Sequence, residues 1–121
     1  MVTFGVPEPM SGHAAAGCRL AIDMVSSVAE INRLLDTDFR TRIGISSGPS
    51  IGGVIGTKRF AFDLWGEDVN LASRLEGAAK PGAILVSQRV VDAAGDGFIF
   101  EPQGPIALKG MPDTVAYALV R

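Results

Sequence analysis

The chain changes period between Arg59 and Leu75. Arg59-Phe60-Ala61-Phe62-Asp63-Leu64-Trp65 opens with large apolar residues in alternation, the pattern of a strand. Trp65-Gly66 turns the chain. Val69, Ala72 and Leu75 then recur at helical spacing, with Asn70 and Arg74 on the polar face. Residues four apart on a helix share a side, so Asn70 and Arg74 point the same way. A strand must run through one turn straight into a helix. Asp63, Asn70 and Arg74 are gathered around that turn, which suits a small anionic molecule with hydrogen-bonding edges.

The rest of the chain supplies elements to surround this unit. Met1-Val2-Thr3-Phe4 reads as a strand fragment, and two prolines and two glycines make residues 5–12 a loop. Ser11 is placed to cap the next helix by accepting a backbone hydrogen bond. From Ala14 to Leu35, Ala14, Cys18, Ala21, Val25, Val28 and Leu35 form an apolar stripe, leaving Asp23, Glu30 and Arg33 wet. Asp36-Thr37-Asp38 ends that helix. Thr41 to Ser47 reads as a strand with Ile43 and Ile45 on one side, leading into Gly48-Pro49-Ser50. Ile51 to Ile55 reads as a strand broken by Gly52 and Gly53. Each glycine weakens it by up to ~1 kcal/mol. Either a ligand or partner backbone approaches there, or the strand is bulged or flattened. Gly56 to Arg59 is a polar turn.

After the central unit, a helix from about Asp68 to Ala79 stops at Lys80-Pro81-Gly82, where proline halts growth. Ala83 to Val86 reads as a short buried strand, and Ser87 as the cap of a short helix through Ala93. Phe98 to Phe100 and Val115 to Val120 read as strands, with Ile106 to Leu108 leading to Lys109-Gly110. The order is βαββαβαβ with a further strand or strand pair near the end. Such mixed connections imply a sheet with helices packed on it.

Composition removes several function classes. The 121 residues allow one domain with its own core. A formal charge of −2 leaves no basic footprint for nucleic acid. No apolar run is long enough to span a bilayer, and no secretory signal opens the chain. The single cysteine, Cys18, forbids an internal disulfide and fits a reducing, cytoplasmic setting. No zinc spacing, Walker A loop or dinucleotide fingerprint is present.

Several residues have competing readings. Arg74 carries a permanent, rigid fork of donors that can hold a phosphate oxygen, and Asn70 can orient a sugar or phosphate. Equally, they form a wet helix face in which Arg74 pairs with Glu67 or Asp68. Asp63 accepts hydrogen bonds from the amino edge of a base, or pairs with Lys58 or Arg59. Lys109, in a loop between strands, can reach a polyphosphate as a mobile point charge. His13 reads as surface at a helix start, Cys18 as core, and Trp65 as packed under the turn. Asp96 and Glu101 read as solvated.

Phe60-Ala61-Phe62-Asp63-Leu64-Trp65-Gly66-Glu67-Asp68-Val69-Asn70-Leu71-Ala72-Ser73-Arg74-Leu75-Glu76 resembles the signature segment of class III nucleotidyl cyclase catalytic domains. Met1 to Pro7 resembles the strand and loop after the family's Gly-Asp turn. Arg42 to Gly48 and Gly52 to Gly56 resemble its glycine-rich strand pair, and Leu108-Lys109-Gly110 resembles its late phosphate-binding lysine. The resemblance spans the whole chain as a single partial catalytic domain, residues 1–121. It implies an α+β, ferredoxin-like fold: a mixed, largely antiparallel sheet with packed helices, truncated at the N-terminus.

The resemblance also implies an activity. ATP is converted to 3′,5′-cyclic AMP and pyrophosphate by attack of the ribose 3′ oxygen on the α-phosphorus. The site is shared across a homodimer, with two divalent ions, Mg2+ or Mn2+. By position, Asp63 reads the base and favours adenine, Asn70 orients the ribose, Arg74 stabilises the transition-state phosphate and Lys109 grips the terminal phosphates. Gly66 matches the family turn, while Glu67 stands where aspartate is expected. The family's two metal-binding aspartates and a base-reading lysine correspond to positions before residue 1, and no metal ligand is assigned within the chain. Taken alone, residues 1–121 are therefore expected to be inactive and to expose a sheet edge or apolar face. A regulatory, catalytically degenerate partner and a ligand-free ferredoxin-like interaction domain are the alternatives. No nucleic acid or membrane contact is expected, and the setting is cytoplasmic or the cytoplasmic face of a membrane.

Overall fold

The structure is a computed structural model that describes residues 1–6, 8–55 and 61–121. Its elements in chain order are α1 (His13–Leu35), β1 (Ile43–Ile45), β2 (Ile51–Ile55), β3 (Ala61–Trp65), α2 (Glu67–Ala78), β4 (Ile84–Ser87), α3 (Gln88–Ala94), β5 (Phe100–Ile106) and β6 (Thr114–Leu119). Strands β1-β4-β6-β5 form one sheet, parallel between β1 and β4 and antiparallel elsewhere. Strands β2 and β3 form a separate antiparallel pair. This is the mixed sheet with packed helices expected of the α+β cyclase fold.

Strand β4 explains how the layers hold together. All four of its residues are buried. Successive side chains of a strand point to opposite faces. Ile84 and Val86 accordingly join Cys18 and Ala21 of α1, Val90 and Ala94 of α3, and Leu119 in one cluster. Leu85 joins Leu75 of α2, Ala79, Leu108 and Ala116 in the other. Helices α1 and α3 thus cover one face and α2 the other. Cys18 is fully buried, and that burial pushes its thiol above the ordinary range against the opposing pull of Arg19.

Several expectations need correction. Residues 1–4 form no strand but coil running into a bend. The fragment does not pair with any described strand, and an extended segment needs a partner for its backbone groups. Ser11 does not cap α1; Gly12 is the N-cap, in the left-handed region at φ 70°, without a side-chain bond. Leu35 is 65% exposed, because only the first half of the stripe, Ala14, Cys18 and Ala21, is buried. Trp65 is 44% exposed rather than packed under its turn.

Strand β5 starts at Phe100 and runs to Ile106, where a short strand ending at Phe100 is expected. Pro102, Gly104 and Pro105 hide it from pattern reading, since proline is confined to sheet edges and bulges. The structure puts it there: β5 is an outer strand with a register shift between Pro102 and Gly104. The polar turn expected at residues 56–59, and Phe60, lie outside the described residues.

Ser87 precedes α3 as expected but makes no capping bond; its Oγ is buried without a hydrogen-bond partner among the described residues. A buried hydroxyl left unpaired costs free energy that alanine does not. Ser87→Ala is therefore expected to raise unfolding stability by about 1 kcal/mol, measured by urea denaturation. A loss of stability would show that the hydroxyl has a partner.

Candidate functional site at the start of α2

The site is built on the passage from β3 into α2. Strand β3 pairs with β2 so that Asp63 lies opposite Gly53 and Leu64 opposite Gly52. The glycine pair therefore faces a neighbouring strand of its own chain. Gly66 follows Trp65 and is the N-cap of α2, with φ 143° and ψ 171°, a conformation that L side chains rarely adopt. A Cβ there would lie 3.5 Å from the Ser50 Cα, so the turn rests on the loop after β1. The Asn70 N–H donates to the Gly66 carbonyl at 3.2 Å, closing the first helical turn. Glu67 and Asp68 occupy that turn and complement the helix dipole.

Asn70 and Arg74 are both exposed on α2, four residues apart and on one side. Arg74 forms no ion pair among the described residues, so the expected alternative pairing with Glu67 or Asp68 is not made. Leu75, the next residue, is fully buried and fixes the helix against the sheet. Lys109 is exposed in a turn closed by the Met111 N–H donating to the Leu108 carbonyl at 3.1 Å. Gly110 supplies the positive φ of 74° in that turn. Leu108 is 5% exposed and belongs to the same apolar cluster as Leu75. Arg74 and Lys109 are thus each the chain neighbour of a residue anchored in one cluster. The backbone of Asp63 lies three residues before Gly66 on β3. Its expected alternative partners, Lys58 and Arg59, lie outside the described residues.

A cleft of about 570 Å3 opens at the N-terminal end of α2, with Ser50, Gly66, Glu67, Leu71, Ser87 and Arg89 in its lining. Asp68 and Arg89, which also line it, crowd against Gly48. A Cβ on that residue would collide with the Asp68 carboxylate and come within 2.7 Å of Arg89 Nη1. His13 lies nearby at the surface, its Nε2 3.3 Å from Ser47 Oγ and its Nδ1 3.1 Å from the Met10 carbonyl. Among the described residues no three His, Cys, Asp or Glu side chains converge into a metal site.

Residue patterns did not disclose how α2 is held. Gly44 lies between two isoleucines of β1, and a Cβ there would strike the backbone of α2 at Ala72, Leu75 and Glu76. Ser46 Oγ donates to the Asp68 carbonyl, and Arg42 Nη2 lies 3.1 Å from Glu76 Oε1. The only signal in the sequence is a glycine where a strand would otherwise place a third large residue.

The family model for the adenylate and guanylate cyclase catalytic domain matches residues 1–121, and the chain belongs to that family. The chain is 36% identical over 110 residues to an adenylate cyclase of Mycobacterium tuberculosis, covering 91% of this chain and 25% of that protein. It is 36% identical over 124 residues to the soluble guanylate cyclase gcy-34 of Caenorhabditis elegans, covering 100% of this chain and 18% of that protein. It therefore spans a quarter or less of the length of these curated relatives. Among solved structures, the adenylyl cyclase CyaB from P. aeruginosa superposes with a TM-score of 0.90 at 29% identity, over 98% of this chain and 65% of that one. The guanylate cyclase domain of RhGC from Catenaria anguillulae, in complex with GTP, gives 0.82 at 28% identity, over 96% of this chain and 64% of that one. Relatives of both base specificities are present, so family membership alone does not choose the nucleotide.

Proposed function

We propose that this chain supplies the base, ribose and phosphate groups of an adenylate cyclase site that turns ATP into 3′,5′-cyclic AMP and pyrophosphate at a homodimer interface. The observation that carries this reading is the β3–Gly66–α2 unit. It presents Asn70 and Arg74 on an exposed helix face, and Lys109 follows Leu108, which packs in the same apolar cluster as Leu75. Side chains left exposed on a rigidly anchored helix are available to a nucleotide lying between two subunits. Divalent ions, when bound, would neutralise phosphate charge and lower the pKa of the ribose hydroxyl.

The groups of this chain have separate tasks. Arg74 meets the negative charge that builds on the α-phosphate as the 3′ oxygen attacks, and a fixed guanidinium does so without reorganising. Asn70, on the same face, offers an amide that can donate and accept, which suits a ribose hydroxyl or ring oxygen. Lys109 reaches the terminal phosphates as a point charge and holds the pyrophosphate as it departs. Asp63 chooses the base. An ionised carboxylate only accepts hydrogen bonds, so it takes the exocyclic amino group of adenine and repels the carbonyl of guanine at the same position.

The base assignment has a direct test in the full-length protein, assayed with each triphosphate. Asp63→Ala is expected to cut the ATP-over-GTP preference in kcat/KM by about tenfold or more, through loss of ATP activity. An unchanged ratio of the two rates would remove Asp63 from base recognition and leave the nucleotide to be decided elsewhere. Cyclic GMP as the main product of the unmodified protein would overturn the adenylate reading itself.

A further inference from the structure

We propose that β1 sets the lengthwise position of α2, and that Ser46 is a positioning residue acting on Asn70 and Arg74. The proposal deepens the nucleotide-site reading and rests on it. Arg42, Gly44 and Ser46 are alternate positions and share one face of the extended strand segment. They meet α2 in reverse order. Arg42 pairs with Glu76 at 3.1 Å, Gly44 receives the backbone at Ala72, Leu75 and Glu76, and Ser46 Oγ donates to the Asp68 carbonyl.

The two rows are commensurate. Alternate strand residues advance by roughly 6.6 Å, and four helical residues advance by roughly 6 Å. Positions 42, 44 and 46 therefore keep step with 76, 72 and 68. Sliding α2 by one residue would break the two outer contacts, because 69 and 77 lie about 100° around the helix from 68 and 76. Asn70 and Arg74 stand between the two outer tether points.

The contacts are unequal. The Arg42–Glu76 pair is exposed on both sides, with side-chain exposures of 47% and 44%, and such pairs hold weakly. Gly44 allows the approach but is not directional. The Ser46 hydroxyl is part-buried and directional, so it fixes the end of the helix nearest Asn70. A catalytic group displaced by a fraction of an ångström loses its alignment with the reacting atoms.

The test is a double-variant cycle on turnover in the full-length protein, with thermal melting recorded for each variant. Ser46→Ala is expected to lower kcat on the order of tenfold, with KM changed less than about twofold. Ser46→Thr, which keeps the hydroxyl, restores most of the rate. In an Arg74→Ala background the further loss from Ser46→Ala shrinks to less than about threefold, because coupled residues are not additive. A merely structural role would give the same loss in both backgrounds, and that result overturns the proposal. Loss on Arg74→Ala with none on Ser46→Ala removes the tether alone. No loss on Arg74→Ala removes the site reading and the tether together. Should Ser46→Ala fail to fold, Ser46→Cys, which keeps the side-chain shape but bonds the Asp68 carbonyl more weakly, carries the same cycle. Coupling to Arg74 there supports the proposal, and additivity overturns it.

Discussion

Arg74→Ala is expected to lower kcat by about 10²- to 10³-fold, the usual loss when one preorganised donor to developing charge is removed. KM for ATP changes little, since the interaction strengthens as the transition state forms. The side chain is exposed and has no ion-pair partner among the described residues. Its removal should therefore shift unfolding stability by less than about 0.5 kcal/mol. Arg74→Lys keeps the charge but loses the planar fork, and recovers only part of the rate. Steady-state kinetics on the full-length protein, beside a urea melt, separate these effects. A variant turning over within a few-fold of the parent would show that Arg74 does not face the reacting phosphate.

Gly44→Ala should have the largest effect on stability among small substitutions. The added methyl meets backbone rather than side chain, at the Ala72 carbonyl, the Glu76 N–H and, 3.0 Å away, the Leu75 carbonyl carbon. A flexible neighbour could swing aside; a helix backbone cannot. Helix α2 must then lift from the sheet and loosen Leu75 within its cluster with Leu85, Leu108 and Ala116. Overpacking of this kind costs about 3 kcal/mol at the upper end of the usual range. The same lift moves Asn70 and Arg74, so residual activity should fall further than the folded fraction. Calorimetry and turnover on one preparation test both halves. A melting temperature within about 2 °C of the parent, less than a 1 kcal/mol change would produce, would mean that α2 does not rest on Gly44.

The elements most readily read from the sequence are those with an unambiguous period. The first helix, the β3–α2 passage and β4 follow from spacing alone. Counting residues puts Asn70 and Arg74 on one helix face, and Lys109 falls in a loop between strands. What was not legible depends on neighbours distant in sequence. Leu35 fits the apolar stripe of α1, yet burial depends on whether another element reaches that far along the helix. Strand β5 carries the wrong residues for a strand because it lies at a margin, where missing N–H groups do no harm. Gly44 looks like a defect in a strand until the helix beneath it is known. Ser46 has no signature, since one hydroxyl bound to one carbonyl follows no spacing rule. Trp65 beside the turn reads as packed beneath it, but large aromatics are often only partly covered.

The prolines of β5 have a further effect on how copies of this protein behave when crowded. Two of the seven residues in that outer strand, Pro102 and Pro105, have no N–H to offer, and the shift between Pro102 and Gly104 bends the ladder. An incoming extended segment would find gaps and a kink instead of an even row of donors. On that flank the sheet is poorly suited to fibrillar stacking, even in concentrated solution.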